Sequence, residues 1–335
     1  MGGVMRIGPV DGLLVLGGGL IFRKLIDWCH AEELEVRALV APRHASEEAG
    51  GETLSSFLRR KNVRHVIAES LQDTGVAPLL EGTQNFFRVS LGAAWIFRQH
   101  EIESLFFGSL FNLHGTGLPR DRGGGGGSWQ ILMGKRFGFC TLHLVDSGVD
   151  TGPVVARQEF LFPSSARIPA EFHEAYDKRA LQFLTDFVER CRSSEQELEL
   201  EKQPEFLSTY WPRLSTSLNG FVDWRLTAPN LERFICAFDD PYAGAKTFWK
   251  NQLVAIKSVS VSSQEESFHP FQYGLVFRAG PRWICVAVDG GTLVVERMLD
   301  EGGTNIVDSV GVGDRLTTPD EKLMSARQRV FYGTG

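Results

Sequence analysis

Residues 13–28 of the chain read LLVLGGGLIFRKLIDW, and this stretch contains the pattern that sets the fold. The apolar run Leu13–Leu16 is typical of a buried β-strand, and the glycines Gly17–Gly19 indicate a tight turn after it. Apolar residues then recur at helical spacing, at Leu20, Ile21, Leu25, Ile26 and Trp28. The stretch therefore predicts a strand, a turn and a helix, in that order.

The same alternation continues through the N-terminal half of the chain. Glu35–Ala41 (EVRALVA) and Val63–Ala68 (VRHVIA) predict two further strands, each of which follows a helical stretch. Strands that alternate with helices in this way form parallel sheets joined by right-handed crossovers. We therefore expect an α/β domain with a doubly wound, Rossmann-like sheet.

The pattern changes after Ala170. A long helical segment runs through Phe187, and the polar tract Ser193–Gln203 (SSEQELELEKQ) is typical of a linker. Short apolar runs separated by glycines then predict strands at Leu253–Val259, Leu275–Arg278, Trp283–Val288 and Leu293–Arg297. Such runs indicate a small β-barrel or sandwich. The predicted organisation is an α/β domain at 1–192, a linker at 193–210 and a β-rich domain at 211–335.

The composition is that of a globular protein with room for two domains. The chain has 335 residues, of which 43% are hydrophobic and 23% charged, and its net charge is -6. Disorder is not expected, and no general basic surface is available for nucleic acid. The five cysteines are widely spaced and form no CxxC pair, which favours a reducing cytoplasm over a disulfide framework. The sequence has no membrane-length apolar run and no N-terminal signal pattern.

The glycine turn Gly17–Gly19 is a poor match to a dinucleotide site. That fingerprint reads G-x-G-x-x-G, and Phe22 stands where its third glycine belongs. Gly134-Lys135 does not form a phosphate-binding loop either, because Arg136 follows the lysine and the upstream glycine is missing. A nicotinamide-dependent dehydrogenase is therefore disfavoured, and the three glycines are interpreted as a turn that lets backbones pack closely.

Polar groups are concentrated in residues 111–155, FNLHGTGLPRDRGGGGGSWQILMGKRFGFCTLHLVDSGVDTGPVV. Asn112 and His114 are two residues apart, so on a strand both side chains would lie on one side. The alternating run at residues 140–144 predicts another strand, and the loop after it carries Asp150, whose carboxylate could reach the imidazole. An amide, an imidazole and a carboxylate held together suit chemistry at a carbonyl carbon.

This stretch resembles the signature of the 10-formyltetrahydrofolate-dependent formyltransferases, which act on methionyl-tRNA, glycinamide ribonucleotide or aminosugars. The matching elements are Asn112-x-His114, Leu118-Pro119, Arg122-Gly123, His143 and Asp146–Gly152 (DSGVDTG). Two later stretches resemble the start of the C-terminal domain of the tRNA and aminosugar members, Phe221–Arg225 (FVDWR) and Asp240–Ala245 (DPYAGA). The resemblance implies the formyltransferase fold, with a Rossmann-like catalytic domain followed by a small OB-like domain.

The resemblance also implies three catalytic residues, Asn112, His114 and Asp150, and no metal. Formyl transfer to an amine passes through a tetrahedral intermediate whose oxygen becomes negative, and the Asn112 amide and a protonated His114 would donate hydrogen bonds to it. Asp150 would orient His114, raise its pKa and assist the transfer of the amine proton. His143 matches a position that is often histidine in one branch of the family, and an ordinary strand residue is an equally open interpretation.

A folate site is the next implication of the resemblance. The co-substrate 10-formyltetrahydrofolate would bind at Trp95, Ile96, Phe97, Val145 and Asp146, because apolar walls with backbone hydrogen bonds suit a flat heteroaromatic ring. For the first three of these residues, an ordinary helix start with core packing stays open as the alternative.

The acceptor is less well defined, because the chain departs from the family pattern beside the expected site. The family commonly reads Pro-Ser-Leu-Leu-Pro where this chain reads Gly115–Pro119 (GTGLP), and five glycines follow at Gly123–Gly127. A tRNA acceptor predicts a basic second domain, whereas residues 211–335 hold 13 basic and 14 acidic residues. We therefore expect a small amine, namely a nucleotide-linked aminosugar, and neither nucleic acid nor a membrane as a partner. Methionyl-tRNA is the alternative acceptor, and a homodimer stays open.

Overall fold

The computed structural model of the chain describes residues 3–124, 126–265 and 267–329. Its strands are β1 (Gly3–Ile7), β2 (Gly12–Gly17), β3 (Glu35–Val40), β4 (Glu48–Ala49), β5 (Glu52–Thr53), β6 (Arg64–Ile67), β7 (Phe86–Leu91), β8 (Leu110–His114), β9 (Arg122–Gly123), β10 (Phe137–Leu144), β11 (Val154–Leu161), β12 (Gln196–Leu200), β13 (Tyr210–Trp211), β14 (Ala245–Trp249), β15 (Gln252–Ser262), β16 (Val276–Gly280), β17 (Trp283–Val288), β18 (Gly291–Leu299) and β19 (Leu316–Thr317). Its helices are α1 (Gly19–Ala31), α2 (Pro42–Ala45), α3 (Leu54–Arg60), α4 (Val76–Leu80), α5 (Gln99–Phe106), α6 (Gly126–Leu132), α7 (Pro169–Ser193), α8 (Thr216–Asn219), α9 (Ala228–Ala237) and α10 (Asp320–Ala326). Within the glycine run Gly123–Gly127, Gly125 lies outside the described residues, and Gly126 begins α6.

The first compact unit contains a sheet in the order β11-β10-β8-β7-β2-β3-β6. Its five strands from β8 to β6 are parallel, and β10 and β11 extend it in antiparallel pairing. Both faces are buried, because Leu13 and Val15 belong to one core cluster while Leu14 and Leu16 belong to another. The doubly wound α/β prediction is confirmed. The order of winding reverses between β2 and β7, and open α/β sheets bind their ligands at the carboxyl ends of strands at such a point.

The three glycines after β2 form the tight turn that the sequence predicts. Gly17 has φ +117, and a Cβ on it would lie 2.2 Å from the carbonyl oxygen of Leu91 at the end of β7, so only glycine fits. The backbone N–H of Gly19 at the start of α1 donates to the carboxylate of Glu47 over 2.8 Å. A carboxylate of the chain itself therefore lies where a dinucleotide site would place its phosphates.

The tract predicted as a linker, residues 193–210, contains strand β12, which pairs antiparallel with β1. Gln196, Leu198 and Leu200 are half-buried and alternate with exposed glutamates, and Leu198 packs against the core of the first unit. Burial alternates from residue to residue, as is typical of a strand, although the segment is mostly polar. The linker prediction is corrected accordingly, because this segment is built into the first unit.

The division into units also differs from the predicted boundaries 1–192 and 211–335. Contacts place the described residues of 3–123, 137–161 and 175–210 in the first unit, and those of 124–136, 162–174 and 211–329 in the second. Local contacts explain the difference, because the Ser128 hydroxyl donates to the carbonyl of Ala237 over 2.8 Å and the Ala170 N–H donates to the carbonyl of Asp240 over 2.8 Å. The two short inserted segments thus contribute to the core of the second unit.

The second unit is built on an antiparallel sheet in the order β16-β17-β18-β15-β14-β19. Backbone hydrogen bonds of 2.8 Å from Val276 to Asp314 and from Leu316 to Gly274 join the start of its first strand to the start of its last. The sheet therefore curls into a half-barrel, which confirms the predicted β-rich domain, and its strands include the four predicted ones. Closing the edges in this way protects their backbone groups from pairing with another chain.

Two sequence expectations concern the whole chain. All five cysteines are buried and unpaired, as expected from their spacing. Among the residues that the structure describes, every helix is too short or too polar to cross a lipid bilayer.

Candidate active site

Strand β8 presents two polar side chains on one face of the sheet, close to its carboxyl end. Phe111 and Leu113 belong to one core cluster, and Leu110 belongs to the cluster on the opposite face. By the period of two, Asn112 and His114 lie on the same face as Leu110. Both residues are half-buried.

The loop after β10 returns the chain to this strand end. Gly152 has no room for a side chain, because a Cβ would lie 1.8 Å from the carbonyl oxygen of Leu144. The Asp146 carboxylate accepts hydrogen bonds from the Gly148 N–H over 3.1 Å and from the Thr151 hydroxyl, which fixes the middle of the loop. Asp150 follows with φ 54, a left-handed conformation that is unusual outside glycine.

The Asp150 carboxylate thereby lies among the polar groups of β8 and β10. Its Oδ1 is 3.5 Å from Asn112 Nδ2, 3.7 Å from His114 Nδ1 and 3.6 Å from His143 Nε2. Its Oδ2 accepts a 2.9 Å hydrogen bond from the backbone N–H of Gly123. The predicted residues Asn112, His114 and Asp150 are therefore brought together, and the structure adds His143 to the same cluster.

The hydrogen-bond partners define which ring nitrogens carry protons. His143 Nδ1–H donates to the carbonyl of Leu144 over 2.8 Å, so its Nε2 is left to accept from Asn112 over 3.1 Å. His114 Nε2–H donates to the carbonyl of Asp121 over 3.3 Å, which leaves Nδ1 facing the Asp150 carboxylate. The site thus presents an amide donor, a basic ring nitrogen and an anion to one point.

Burial and neighbouring charges shift the pKa values of Asp150 and His114 in opposite directions. Burial by itself would raise the pKa of Asp150, but the two histidines and the Gly123 N–H lower it to about 2, so the group is a carboxylate at neutral pH. For His114, burial lowers the pKa below 6.5 and outweighs the attraction of Asp150. The sequence led us to expect a protonated His114 with a raised pKa, and this expectation is corrected to a neutral imidazole. Burial destabilises the charged ring by more than the attraction of Asp150 stabilises it.

The five residues predicted to bind a cofactor have different surroundings. Trp95 and Val145 are half-buried against the same core cluster that contains Phe97, and Trp95 Nε1 donates to the carbonyl of Glu69 over 3.0 Å. Phe97 is 8% exposed and packs edge-on against Phe106. Ile96 is 71% exposed beside them. Trp95, Phe97 and Val145 thus share one apolar wall, Ile96 projects from it, and the Asp146 side chain is used inside its own loop.

One polar residue beside the cluster carries no sequence signal that we recognise. Gln203 Nε2 donates to the carbonyl oxygens of Asp150 and Gly152 over 2.8 and 2.7 Å. It lies in the tract interpreted as a linker, and a glutamine in a polar tract has no characteristic spacing. For metals, the described part of the chain contains no group of three histidine, cysteine or acidic side chains placed to hold an ion.

Comparisons with known proteins were made against family models, curated proteins and solved structures. Residues 215–308 match the model of the family "Formyl transferase, C-terminal domain". A methionyl-tRNA formyltransferase of Chloroflexus aggregans is 30% identical over 202 residues, which is 60% of this chain and 63% of that protein. The match therefore spans less than two thirds of the length of this relative.

Two solved structures share the fold. A sugar 3N-formyl transferase, solved with dTDP and 5-N-formyl-THF, superimposes with a TM-score of 0.64 at 17% identity and covers 87% of this chain and 99% of its own. An N-formyltransferase of Helicobacter canadensis, in complex with folinic acid and dTDP-3-aminofucose, gives a TM-score of 0.63 at 15% identity over 86% and 99% of the two chains. At these identities the likeness establishes the architecture of the chain.

Proposed function

We propose that this chain, which belongs to the formyltransferase family, transfers a formyl group from a 10-formylated folate to a primary amine. The observation that carries the proposal is the cluster in which Asp150 Oδ1 lies 3.7 Å from His114 Nδ1 and 3.5 Å from Asn112 Nδ2. It provides the three functions that acyl transfer to an amine requires, namely an oxyanion donor, a base and a group that stabilises the charged base.

Each side chain then has a distinct role. The acceptor amine attacks the formyl carbon, and the carbonyl oxygen takes up the negative charge. The 3.5 Å contact between Asn112 and Asp150 is at the limit of a hydrogen bond, so this N–H of Asn112 is readily released to that oxygen. His114 Nδ1 accepts the proton of the attacking amine, and the Asp150 carboxylate stabilises the imidazolium that forms. The bond from carbon to the folate nitrogen breaks as His114 returns the proton to that nitrogen.

The folate would lie against the wall formed by Trp95, Phe97 and Val145. Trp95 and Phe97 follow β7, next to the point where the winding of the sheet reverses, which is where open α/β sheets bind ligands, and Val145 follows β10. Exposed Ile96 would cover one face of the pterin ring, and backbone groups of the Val145–Asp146 loop would face its polar edge. The bound folates of the two structural neighbours support a folate as donor.

For the acceptor we propose the amino group of a nucleotide-linked sugar. The two sugar formyltransferase structures, which contain dTDP or dTDP-3-aminofucose, support this choice through their fold. The charge of residues 211–335 supports it independently, since 13 basic residues are balanced by 14 acidic ones. A tRNA-binding surface needs an excess of positive charge to neutralise phosphates. The cytoplasm, where folates and nucleotide sugars would both be available, stays our proposed location.

Methionyl-tRNA is the second candidate acceptor. The curated relative from Chloroflexus aggregans is a methionyl-tRNA formyltransferase, and its sequence identity of 30% exceeds the identities of the sugar enzymes. The two candidates differ in their dependence on salt, because affinity for a polyanion falls steeply as the salt concentration rises.

The deciding experiment measures tetrahydrofolate release from 10-formyltetrahydrofolate by the purified chain. Nucleotide-linked aminosugars and charged initiator tRNA are offered in parallel, and the His114→Ala variant serves as the inactive control. Release that depends on an aminosugar and is lost in the variant would establish both the reaction and the acceptor class. Release with tRNA alone would overturn the acceptor, and no release together with no folate binding would overturn the reaction.

A further inference from the structure

The side-chain amide of Gln203 uses all of its hydrogen-bonding positions within the first unit. Its Oε1 accepts from Nε and Nη2 of Arg122 over 3.2 and 3.1 Å. Its Nε2 donates to the carbonyl oxygens of Asp150 and Gly152 over 2.8 and 2.7 Å. An amide has two acceptor and two donor positions, so one side chain joins Arg122 to the loop that carries Asp150.

These bonds hold the two chain segments that define the position of the Asp150 carboxylate. One segment is the Asp150 loop itself. The other contains Arg122, whose neighbour Gly123 donates the 2.9 Å backbone hydrogen bond to Asp150 Oδ2. Because Gln203 binds both segments, it holds the Asp150 carboxylate at hydrogen-bonding distance from the Gly123 N–H.

The backbone of Asp150 needs such external support. Its φ of 54 is left-handed, a conformation that is strained for a residue other than glycine. Conformations of this kind persist where surrounding contacts hold them in place. The two hydrogen bonds from Gln203 are made to the carbonyl of the strained residue and to the carbonyl two residues later, so they act at the point of strain.

The other partner of Arg122 is less suited to this task. Arg122 Nη1 also pairs with Glu205 over 2.8 Å, but the Glu205 side chain is 79% exposed, whereas that of Arg122 is 6% exposed. Exposed ion pairs contribute little to stability. Glu205 makes contact with Arg122 and Ser208 and none with the Asp150 loop among the described hydrogen bonds.

We infer that Gln203 is a positioning residue for formyl transfer, which holds the Asp150 carboxylate at the reacting groups through the carbonyls of Asp150 and Gly152 and through Arg122. The inference rests on the proposed function for its catalytic meaning. The placement of Asp150 by Gln203 can be measured without an activity assay.

The test uses Gln203→Met, which keeps the shape of the side chain and removes every donor and acceptor, with Glu205→Gln as the matched control. The first readout is a carbon-13 NMR titration of the Asp150 carboxyl group, assigned by its loss in Asp150→Asn. We expect the pKa of Asp150 to rise from about 2 toward 3.8 in Gln203→Met and to stay unchanged in Glu205→Gln. An unchanged pKa in a folded Gln203→Met protein would overturn the inference.

A second variant keeps the inference testable if Gln203→Met does not fold. Gln203→Glu retains oxygen acceptors for Arg122 and loses both donors to the loop. The readout is amide hydrogen exchange at Gly123, whose N–H is bound by Asp150. Faster exchange at Gly123 supports the role of Gln203, and exchange as slow as in the parent chain contradicts it.

The kinetic readout separates positioning from a general loss of structure. In Gln203→Met we expect kcat to fall about 10- to 100-fold, the scale of a small misplacement of a reacting group, with KM for folate and acceptor nearly unchanged. In an Asp150→Asn background the same change should cost nothing further, because the effect passes through Asp150. An equal loss in both backgrounds would contradict the inference. If the parent chain transfers no formyl group, the titration and exchange experiments still decide the role of Gln203.

Discussion

Among the residues that the structure describes, buried charges meet around Asp150 in the first unit and around Lys257 in the second. Lys257 is 4% exposed, and its ammonium binds the carboxylate of Asp240 and donates to the carbonyl of Tyr242 over 2.6 Å. Asp239, 2% exposed, receives the backbone N–H of Ser258 over 2.8 Å. In that cluster permanent charges of opposite sign make short bonds.

The Asp150 cluster is built differently. Its anion faces two imidazoles at 3.6 and 3.7 Å, too far for strong hydrogen bonds, and the pKa of His114 is lowered by burial. No hydrogen bond to Asp150 therefore fixes a proton on His114. The comparison separates a cluster that stabilises the fold from one that can accept and return a proton, although both lie in stretches that resemble the same family.

The largest effect should come from Asp150→Asn. The amide removes the negative charge and can donate an N–H to His114 Nδ1, which would occupy the basic nitrogen. We expect kcat to fall about 10³- to 10⁴-fold, the scale of losing a base or the group that orients it. Circular dichroism should confirm a folded protein, and the formyl-transfer assay measures the loss. Near-normal turnover would remove Asp150 from the mechanism and erase the contrast between the clusters.

A smaller loss of activity is expected for Asn112→Ala. The variant removes one donor to the developing oxyanion, which typically costs about 10²- to 10³-fold in kcat. Folate affinity, measured by fluorescence titration, should change little because Asn112 is not part of the apolar wall. A change confined to KM would mean that Asn112 binds substrate instead of the transition state.

Lys257→Met tests the other cluster. The change removes the ammonium that lies 3.8 Å from the buried Asp239 carboxylate. We expect a loss of about 3 kcal/mol in the free energy of unfolding, at the lower end for a broken buried pair because Asp240 is half-exposed. Urea denaturation measures it. The kcat of the folded fraction should match the parent value. A kcat that drops with intact stability would show that the Lys257 cluster also serves the reaction.

The pH dependence gives the smallest and most specific signal. Because the pKa of His114 lies below 6.5, a pH profile of kcat/KM should be level near neutrality and fall only as the pH drops below 6.5. The charge of Asp150 raises the pKa of His114, so in Asp150→Asn the fall should move to still lower pH. A kcat/KM that instead falls as the pH rises above 6.5 would restore the protonated histidine expected from the sequence.

Protonation of His114 also has a consequence for stability. The folded state binds this proton less readily than the unfolded chain, so the contribution of His114 makes the folded state less stable as the pH decreases from 6.5 toward the folded pKa. Asp150, with its pKa lowered to about 2, stabilises the fold above pH 3.8 and loses that contribution as the pH falls through 2.

Much of the architecture could be predicted because the spacing of apolar residues over short stretches specifies helices and strands. The run before Gly17 and the helical spacing after it give β2 and α1, and the alternating runs after residue 250 give β15 to β18. The strand β12 was missed because its apolar positions are few and its glutamates dominate the composition. The placement of Asn112 and His114 on one face followed from a spacing of two, which needs no knowledge of distant parts of the chain.

The sequence by itself determined the doubly wound sheet, the barrel strands and the residue types of the site, because local spacing and residue chemistry specify them. Only the tertiary structure decided that Asp150 reaches β8 in a left-handed conformation, that His143 joins the cluster and that Gln203 ties Arg122 to the loop. It also decided that His114 is neutral, since burial depends on every segment packed around the ring. Distances and desolvation arise between residues far apart in the chain, and no local pattern encodes them.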